Sequence, residues 1–425
     1  MKRSALSTTT SFYASLTAVL LLSACATPQP PAPPAPTPPV SAPTPAPLPS
    51  LPVPPAPPPV LPPPPAPLAQ LRPADWSALT GWGQDTLTQT WPAFLQSCAG
   101  LKNQLAWQAI CAEATKLGTS DEKILRAFFE QYFQPHEVFN TDSTLEGTVT
   151  GYYEPLLKGD RSKTARARFP LYAIPDDLIT VDLSTVYPEL KNMRLRGRLQ
   201  GNKLVPYYTR AEIENANGGF NGSFKGKPLA YAEDAVELFF LQIQGSGRIE
   251  LPDGTHIRVG YADQNGHPYK SIGKILVDRG DLKLEQASMQ GIKAWGVANP
   301  DKLQDLLNSN PSHVFFRELP NGLSGPLGAL GVPLTAGRSI AIDPKFIPLG
   351  APVFLSTTWP NSPQPLNRLM LAQDTGGAIR GAVRADFFWG FGNEAGEQAG
   401  KMKQKGRMWV LLPKDYAAMQ TASTR

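Results

Sequence analysis

Apolar and polar positions change their rhythm several times along the chain, and each change marks an element. After Lys2 and Arg3 comes an uncharged stretch holding the apolar run Leu16–Leu22. That run is too short for a stable membrane-spanning helix and reads as a secretory signal. From Pro28 to Pro67 all periodicity disappears, with 23 prolines in 40 residues. No charged residue occurs between Ser4 and Leu71. Such a segment cannot pack a core; it predicts a polyproline-II-like spacer, at about 3.1 Å per residue roughly 120 Å long when extended.

Helical spacing follows, from Trp82 to Phe133. Trp91–Cys98 and Leu101–Lys116 read as two short helices around Ala99-Gly100. A further helix starts at Ser120-Asp121-Glu122-Lys123, with Ser or Thr expected at its cap. At Leu145 the rhythm becomes that of a strand, through Thr148, Val149, Tyr152 and Tyr153, and Pro155 stops it. Leu156 to Phe316 is mixed and mostly β, with strands predicted over Leu171–Ile174, Leu204–Tyr207 and Ala235–Gln244, then helices over Ser271–Asp278 and Leu284–Ala298. In the third strand Leu241-Gln242-Ile243-Gln244 alternates, which puts Gln242 and Gln244 on one face. Leu319 to Leu334 is rich in Gly and Pro. Short β runs then recur at Ser339–Ile342, Val353–Leu355, Leu369–Ala372 and Met408–Leu412, with a helix over Glu394–Met402 between the last two. Short strands with turns, interrupted by one helix, predict a small barrel.

Composition adjusts this picture little. The formal charge is +5, of which Lys2 and Arg3 contribute two, so a chain without its signal carries only +3. With no basic cluster, nucleic-acid binding is not expected. Cysteine usage matters more. Leu22-Ser23-Ala24-Cys25 resembles a bacterial lipoprotein signal. That resemblance implies cleavage before Cys25 and multiple acylation there, which anchors stably where one chain is marginal. Ala26, with no Asp after the Cys, points to the periplasmic face of the outer membrane. Cys98 and Cys111 then remain in an oxidising compartment. They either close the helical hairpin as a disulfide or stay as two buried thiols.

The candidate chemistry concentrates in Leu369–Gly392. An apolar run ends in Asp374-Thr375-Gly376-Gly377; a Gly-rich, Arg-bearing loop follows and delivers Asp386 among Phe387, Phe388, Trp389 and Phe391. A carboxyl among aromatic rings loses hydration, so its pKa rises, as a general acid requires near neutral pH. The rings themselves suggest either a sugar-stacking floor or ordinary core. Asp374-Thr375-Gly376 resembles an aspartic-protease loop, but such an enzyme needs two, and the chain has one. Gly245-Ser246-Gly247 is no nucleophile elbow and lacks the spacing of a dinucleotide loop. Beside Gln242 and Gln244 it suits hydrogen bonding to sugar hydroxyls and acetamides, or else belongs to an edge strand with solvated glutamines. Gly260–Lys274 reads as a groove wall or as a well-bonded loop. His136, His256, His267 and His313 form no metal motif, and neither metal nor cofactor is expected.

Four stretches together resemble one family. They are Gly151-Tyr152-Tyr153-Glu154-Pro155, Leu241–Gly247, Asn265-Gly266-His267 with Tyr269–Gly273, and Asp374–Ile379 with Asp386-Phe387-Phe388-Trp389-Gly390. In this order they look like the membrane-bound lytic transglycosylase A family of murein-degrading lipoproteins, over about Leu71 to Pro413. The resemblance implies a mainly β fold with N-terminal helices: a double-psi β-barrel domain, 71–155 and 319–425, with a second β-rich, substrate-binding domain inserted at 156–318. Residues 1–24 are then the signal peptide and 25–70 the Pro-rich linker. It further implies cleavage of the β-1,4 bond between N-acetylmuramic acid and N-acetylglucosamine, ending in 1,6-anhydromuramic acid. Asp386 matches the family's single acid/base, and Asp374 its second Asp, at the Gly-Gly loop, read here as a support that holds the loop or as a purely structural group. Expected substrate contacts are Tyr153, Gln242, Gln244, Gly245 and Ser246, with Gly376, Gly377, Phe387 and Trp389 beside the catalytic loop. Peptidoglycan strands, the outer membrane and other cell-wall proteins are the expected partners. The competing reading is a non-catalytic lipoprotein that tethers the outer membrane to the wall.

Overall fold

A computed structural model describes residues 70–118, 121–190, 193–215 and 224–416. The signal, Cys25 and most of the Pro-rich spacer lie outside the described residues. The folded chain opens with β1 (Leu71–Pro73), then α1 (Leu87–Gly100), α2 (Leu105–Leu117) and α3 (Glu122–Tyr132), and returns as β2 (Phe133–Val138), antiparallel to β1. Asp121 caps α3, its carboxylate accepting from Lys123 and Ile124 N–H at 2.8 and 3.1 Å, where Ser or Thr was expected. Trp91, Phe94, Phe128, Phe129 and Phe133 pack edge to face between the helices. Cys98 and Cys111 are joined, tying α1 to α2 with their α-carbons 5.4 Å apart.

The chain next lays down β3 (Gly147–Glu154), and Pro155 separates it from β4 (Leu156–Asp160). Between β4 and residue 318 it builds β5 (Phe169–Tyr172), β6 (Ile179–Thr180), β7 (Arg196–Gln200), β8 (Lys203–Pro206), α4 (Arg210–Asn215), β9 (Pro228–Ala232) and α5 (Ala235–Gln244). There follow β10 (Ser246–Glu250), β11 (His256–Gln264), α6 (Ile272–Asp278), α7 (Met289–Ala298), α8 (Pro300–Asn308) and β12 (Val314–Glu318). Six of these strands form one sheet in the order β12-β11-β10-β4-β9-β5, and β6-β7-β8 form a small separate one.

Ala235–Gln244 is a helix, not the strand its last residues suggested. Asp234 caps it, accepting from Val236 and Glu237 N–H at 2.9 and 3.0 Å. Gly245 ends it in the left-handed region, at φ 78°. The helix lies between two cores. Leu238 and Leu241 join the β-sheet core, whereas Val236 and Phe239 join the core of α6–α8. A helix buried on two sides is apolar nearly all round, so its period is lost and its end mimics alternation.

After residue 318 the chain supplies β13 (Ser339–Ile342), β14 (Pro352–Thr358), β15 (Pro365–Thr375), β16 (Arg384–Phe391), α9 (Gly392–Lys401) and β17 (Lys403–Pro413). With β3 they close a ring, β17-β14-β15-β13-β16-β3 and back to β17. Two of its pairings, β13 with β15 and β16 with β3, are parallel, and the others are antiparallel. This is a double-psi β-barrel with an inserted domain, on a mainly β chain with N-terminal helices. Asp386 therefore stands on a barrel strand rather than in a loop.

Candidate active site in the groove between barrel and insert

Strand alternation decides what faces the barrel core and what faces away. On β16, Ala385 and Phe387 join the core, as do Val149 of β3 and Ile340 and Ile342 of β13. The intervening residues point outward. Register sets them in a row: Asp374 pairs with Ala341, Ala341 with Asp386, and Asp386 with Thr150. Asp374 and Asp386 thus flank one small side chain, with α-carbons two strand spacings apart, roughly 10 Å. Tyr152, Ala341, Phe388, Leu334 and Ile379 form the buried floor around them.

Above this floor lies a groove of about 1010 Å³, walled on one side by the barrel and on the other by the insert. Barrel residues in it include Asp374, Gly376, Gly377, Arg380 and Asp386; insert residues include Gln242, Gln244, Tyr261 and Tyr269. The two carboxyls are held differently. Asp374 Oδ1 accepts from the N–H groups of Ala329 and Thr375, both at 2.9 Å, and Oδ2 accepts from the Tyr152 hydroxyl at 3.0 Å. Asp386 Oδ1 accepts from the Thr150 hydroxyl at 2.5 Å. Among the described residues, nothing donates to Asp386 Oδ2, which opens to the groove.

Burial pushes the Asp386 carboxyl up from its ordinary value, against the Thr150 hydroxyl and the Arg384 guanidinium, which pull it down. Burial also pushes Asp374 up, to about 6, against its three donors. Burial, followed by the two neighbouring carboxylates, holds the Tyr152 phenol far above its usual range, so it stays a donor to Asp374. Arg384 Nη2 donates to Thr150 Oγ1 at 2.9 Å. That contact leaves the Thr150 proton directed at Asp386 and fixes Oδ1 as the acceptor.

The sequence-predicted contacts divide. Gln242, Gln244, Gly245, Ser246, Gly376 and Gly377 line the groove. Gln242 is buried, and its Oε1 accepts from Arg210 at 2.5 Å, so it braces the wall from within. Gln244 Oε1 accepts from Tyr153 N–H at 3.0 Å and ties α5 to β3. Tyr153, Phe387 and Trp389 do not line the groove. Tyr153 packs its ring against Gly396 of α9. Phe387 is 1% exposed inside the barrel, and Trp389 packs on it at a tilt, ring centroids 4.7 Å apart, with its indole N–H on the Met402 sulfur. Phe387 and Trp389 alternate with Asp386 and so pack away from the groove, whereas Phe391, past an irregularity after Phe388, is exposed. Asn265 bonds to Tyr208 and Pro311 carbonyls at 2.8 Å, so its turn is a well-bonded loop as well as part of the wall.

Thr150, Tyr152, Arg384 and Arg194 are site residues that sequence reasoning missed. A two-residue step from Asp386 along a strand would have found Arg384, but that segment read as a loop. Among the described residues, no three His, Cys, Asp or Glu side chains converge as a metal site requires. No described helix is long and apolar enough to cross a membrane.

Comparison with known proteins fits this geometry. Residues 148–317 match the MltA specific insert domain and 338–412 match the 3D domain. The chain is 35% identical over 270 residues to membrane-bound lytic murein transglycosylase A of Escherichia coli K12, covering 62% of this chain. The match spans 64% of that relative's length. The crystal structure of MltA from Neisseria gonorrhoeae is 46% identical, with a TM-score of 0.69, over 81% of this chain and 92% of that one. E. coli MltA with bound chitohexaose is 28% identical, with a TM-score of 0.56, over 76% and 90% of the two chains.

Proposed function

The chain belongs to the MltA family, and from that premise we propose that it is a peptidoglycan lytic transglycosylase with Asp386 as its single acid/base. The observation that carries the assignment is the difference between the two carboxyls. Asp374 is engaged on both oxygens, which suits a support for the Gly376–Gly377 loop. Asp386 has one oxygen held and one free; burial raises both carboxyls and both line the groove, so the free oxygen is what separates them.

The chemistry follows from that arrangement. Protonated Asp386 gives its proton to the glycosidic oxygen between N-acetylmuramic acid and N-acetylglucosamine as that bond breaks. Positive charge grows at the muramic anomeric carbon. The carboxylate then takes the proton of the muramic C6 hydroxyl, whose oxygen closes on the anomeric carbon and leaves a 1,6-anhydro ring. The attacking hydroxyl belongs to the same sugar, so its effective concentration is high and no water is activated. A second catalytic carboxylate, which hydrolytic glycosidases need, is unnecessary. Chitohexaose, bound by the E. coli relative, is a β-1,4-linked sugar strand of the kind this reading places in the groove. The remaining proposals accompany it: a lipid on Cys25 at the periplasmic face of the outer membrane, the spacer 25–70, and an insert, 156–318, that binds glycan.

Incubation of the purified chain with murein sacculi tests the proposal by mass spectrometry of the released muropeptides. Anhydro ends support it. Reducing ends would make the protein a hydrolase, and no release would leave it a binding protein.

Arg384 gives a second test. Its charge stabilises ionised Asp386, so removing it raises the Asp386 pKa. The acid is active when protonated, so Arg384→Gln should carry the alkaline limb of kcat/KM to higher pH. Glutamine keeps a donor for Thr150. A limb that stays in place or moves down would refute the coupling.

A further inference from the structure

The groove carries more positive charge than the proposed chemistry uses. Arg194 is half-buried in its wall, just before β7. Its guanidinium lies over the Tyr261 ring, 5.7 Å from the centroid. It also reaches the catalytic loop: a methyl group on Gly377 would stand 3.7 Å from Arg194 Nη1. Among the described residues it has neither a hydrogen-bond acceptor nor an ion-pair partner. The neighbouring acid is already engaged, since Asp263 takes Arg196 Nε on both oxygens at 2.9 Å.

The placement of Arg194 is built in. Gly266, at φ 81°, turns so closely beneath this segment that a side chain there would meet Arg196 Cβ at 2.9 Å and its N at 3.1 Å. The other charges of the groove do not cancel Arg194. Lys345 and Arg317 line it unpaired among the described residues, and Arg380 faces Asp343 at 3.8 Å. Burial pushes both acids of the floor toward their neutral forms.

An unpaired, partly desolvated guanidinium on an aromatic ring is a carboxylate receptor. Neutral N-acetylglucosamine polymers have no carboxylate to offer. Muramic acid does, on its lactyl group or on the peptide that extends it. We propose that Arg194, seated on Tyr261, binds a carboxylate of the lactyl or peptide substituent beside Gly376-Gly377 and makes the groove select acidic murein over neutral β-1,4-linked sugar. This inference rests on the transglycosylase reading and deepens it.

Binding to the Asp386→Asn protein, with and without Arg194→Gln, tests it on three ligands. These are peptide-bearing glycan strands, strands stripped by an amidase to the free lactyl carboxylate, and chitohexaose. Arg194→Gln should raise Kd about tenfold for a carboxylate-bearing ligand, the size of one charge-assisted hydrogen bond, and leave chitohexaose within about twofold. In peptide-bearing strands the lactyl carboxyl is an amide, so loss on stripped strands alone assigns the lactyl carboxylate, loss on peptide-bearing strands alone assigns the peptide, and loss on both assigns a site that takes either. Equal loss on all three, or no loss on any, overturns the proposal. Anhydro product release by the unsubstituted protein is scored separately, so failure of the transglycosylase reading is told apart from failure of this one.

Discussion

Asp386→Asn is expected to lower the release of anhydromuropeptides by about a thousandfold or more, since in the proposed mechanism this one group gives and takes the proton in both halves of the reaction. Asparagine keeps the shape and still accepts from Thr150, so the groove should bind glycan as before. It can neither donate a labile proton nor accept one. The fold should not suffer. A carboxyl whose folded pKa is raised contributes stability that is present at low pH and lost as pH rises through that value. The neutral amide has no such loss, so the variant should be as stable as the parent in acid and more stable above the Asp386 pKa. Thermal unfolding across pH, set beside muropeptide release, checks both halves. Asp374→Asn is the control. Its Oδ1 can still accept from Ala329 and Thr375 N–H. The expected loss is an order of magnitude or less, comparable to one altered hydrogen bond of about 0.5–1.5 kcal/mol. If the two variants lose equally, the division of labour between the carboxyls is refuted.

The sequence disclosed the barrel strands best where a strand is buried on both faces. Leu369–Ala372 and Met408–Leu412 are continuous apolar runs, and both lie within long barrel strands, β15 and β17. It disclosed less where one strand serves two purposes. Arg384–Phe391 alternates inward core with outward site, and its start read as part of the Gly-rich loop while its aromatic end was given no element. Helix α5 failed for the opposite reason, because it is covered on two sides and shows no clean face. The upward shift of the Asp386 carboxyl was legible, but the placement of the rings around it was not. Phe387 and Trp389 pack the barrel, and Tyr152 and Phe388, on the outward face, desolvate the site instead. Thr150 and Arg194 had no local signal, since each matters only through register or through a contact across the groove.

Asp85→Ala is expected to destabilise the chain by about 3–5 kcal/mol, the cost of stranding a buried partner charge. Arg338, at the head of β13, and Asp85, just before α1, are each 3% exposed in their side chains. Arg338 Nη1 meets both Asp85 oxygens at 2.9 Å, and Asp85 Oδ2 accepts Leu369 N–H at 2.6 Å. Arg338 Nη2 also donates to the Thr86 carbonyl and Gln89 Oε1, both at 3.0 Å. The pair thus joins the N-terminal helices to two barrel strands, and β15 carries Asp374 at its far end. Removing both charges tests whether charge or connection matters. If the stranded guanidinium is the cost, Asp85→Ala with Arg338→Met should recover most of the stability in urea unfolding, because buried ion pairs exchange for apolar packing at little net loss. If the double variant stays as unstable as Asp85→Ala alone, the bonds to Leu369, Thr86 and Gln89 are what hold the helices on the barrel. Activity separates the two further. A pair that acts only through stability should leave kcat intact in the recovered double variant. A fall in kcat there would mean that β15 needs this anchor to hold the Asp374 loop in place.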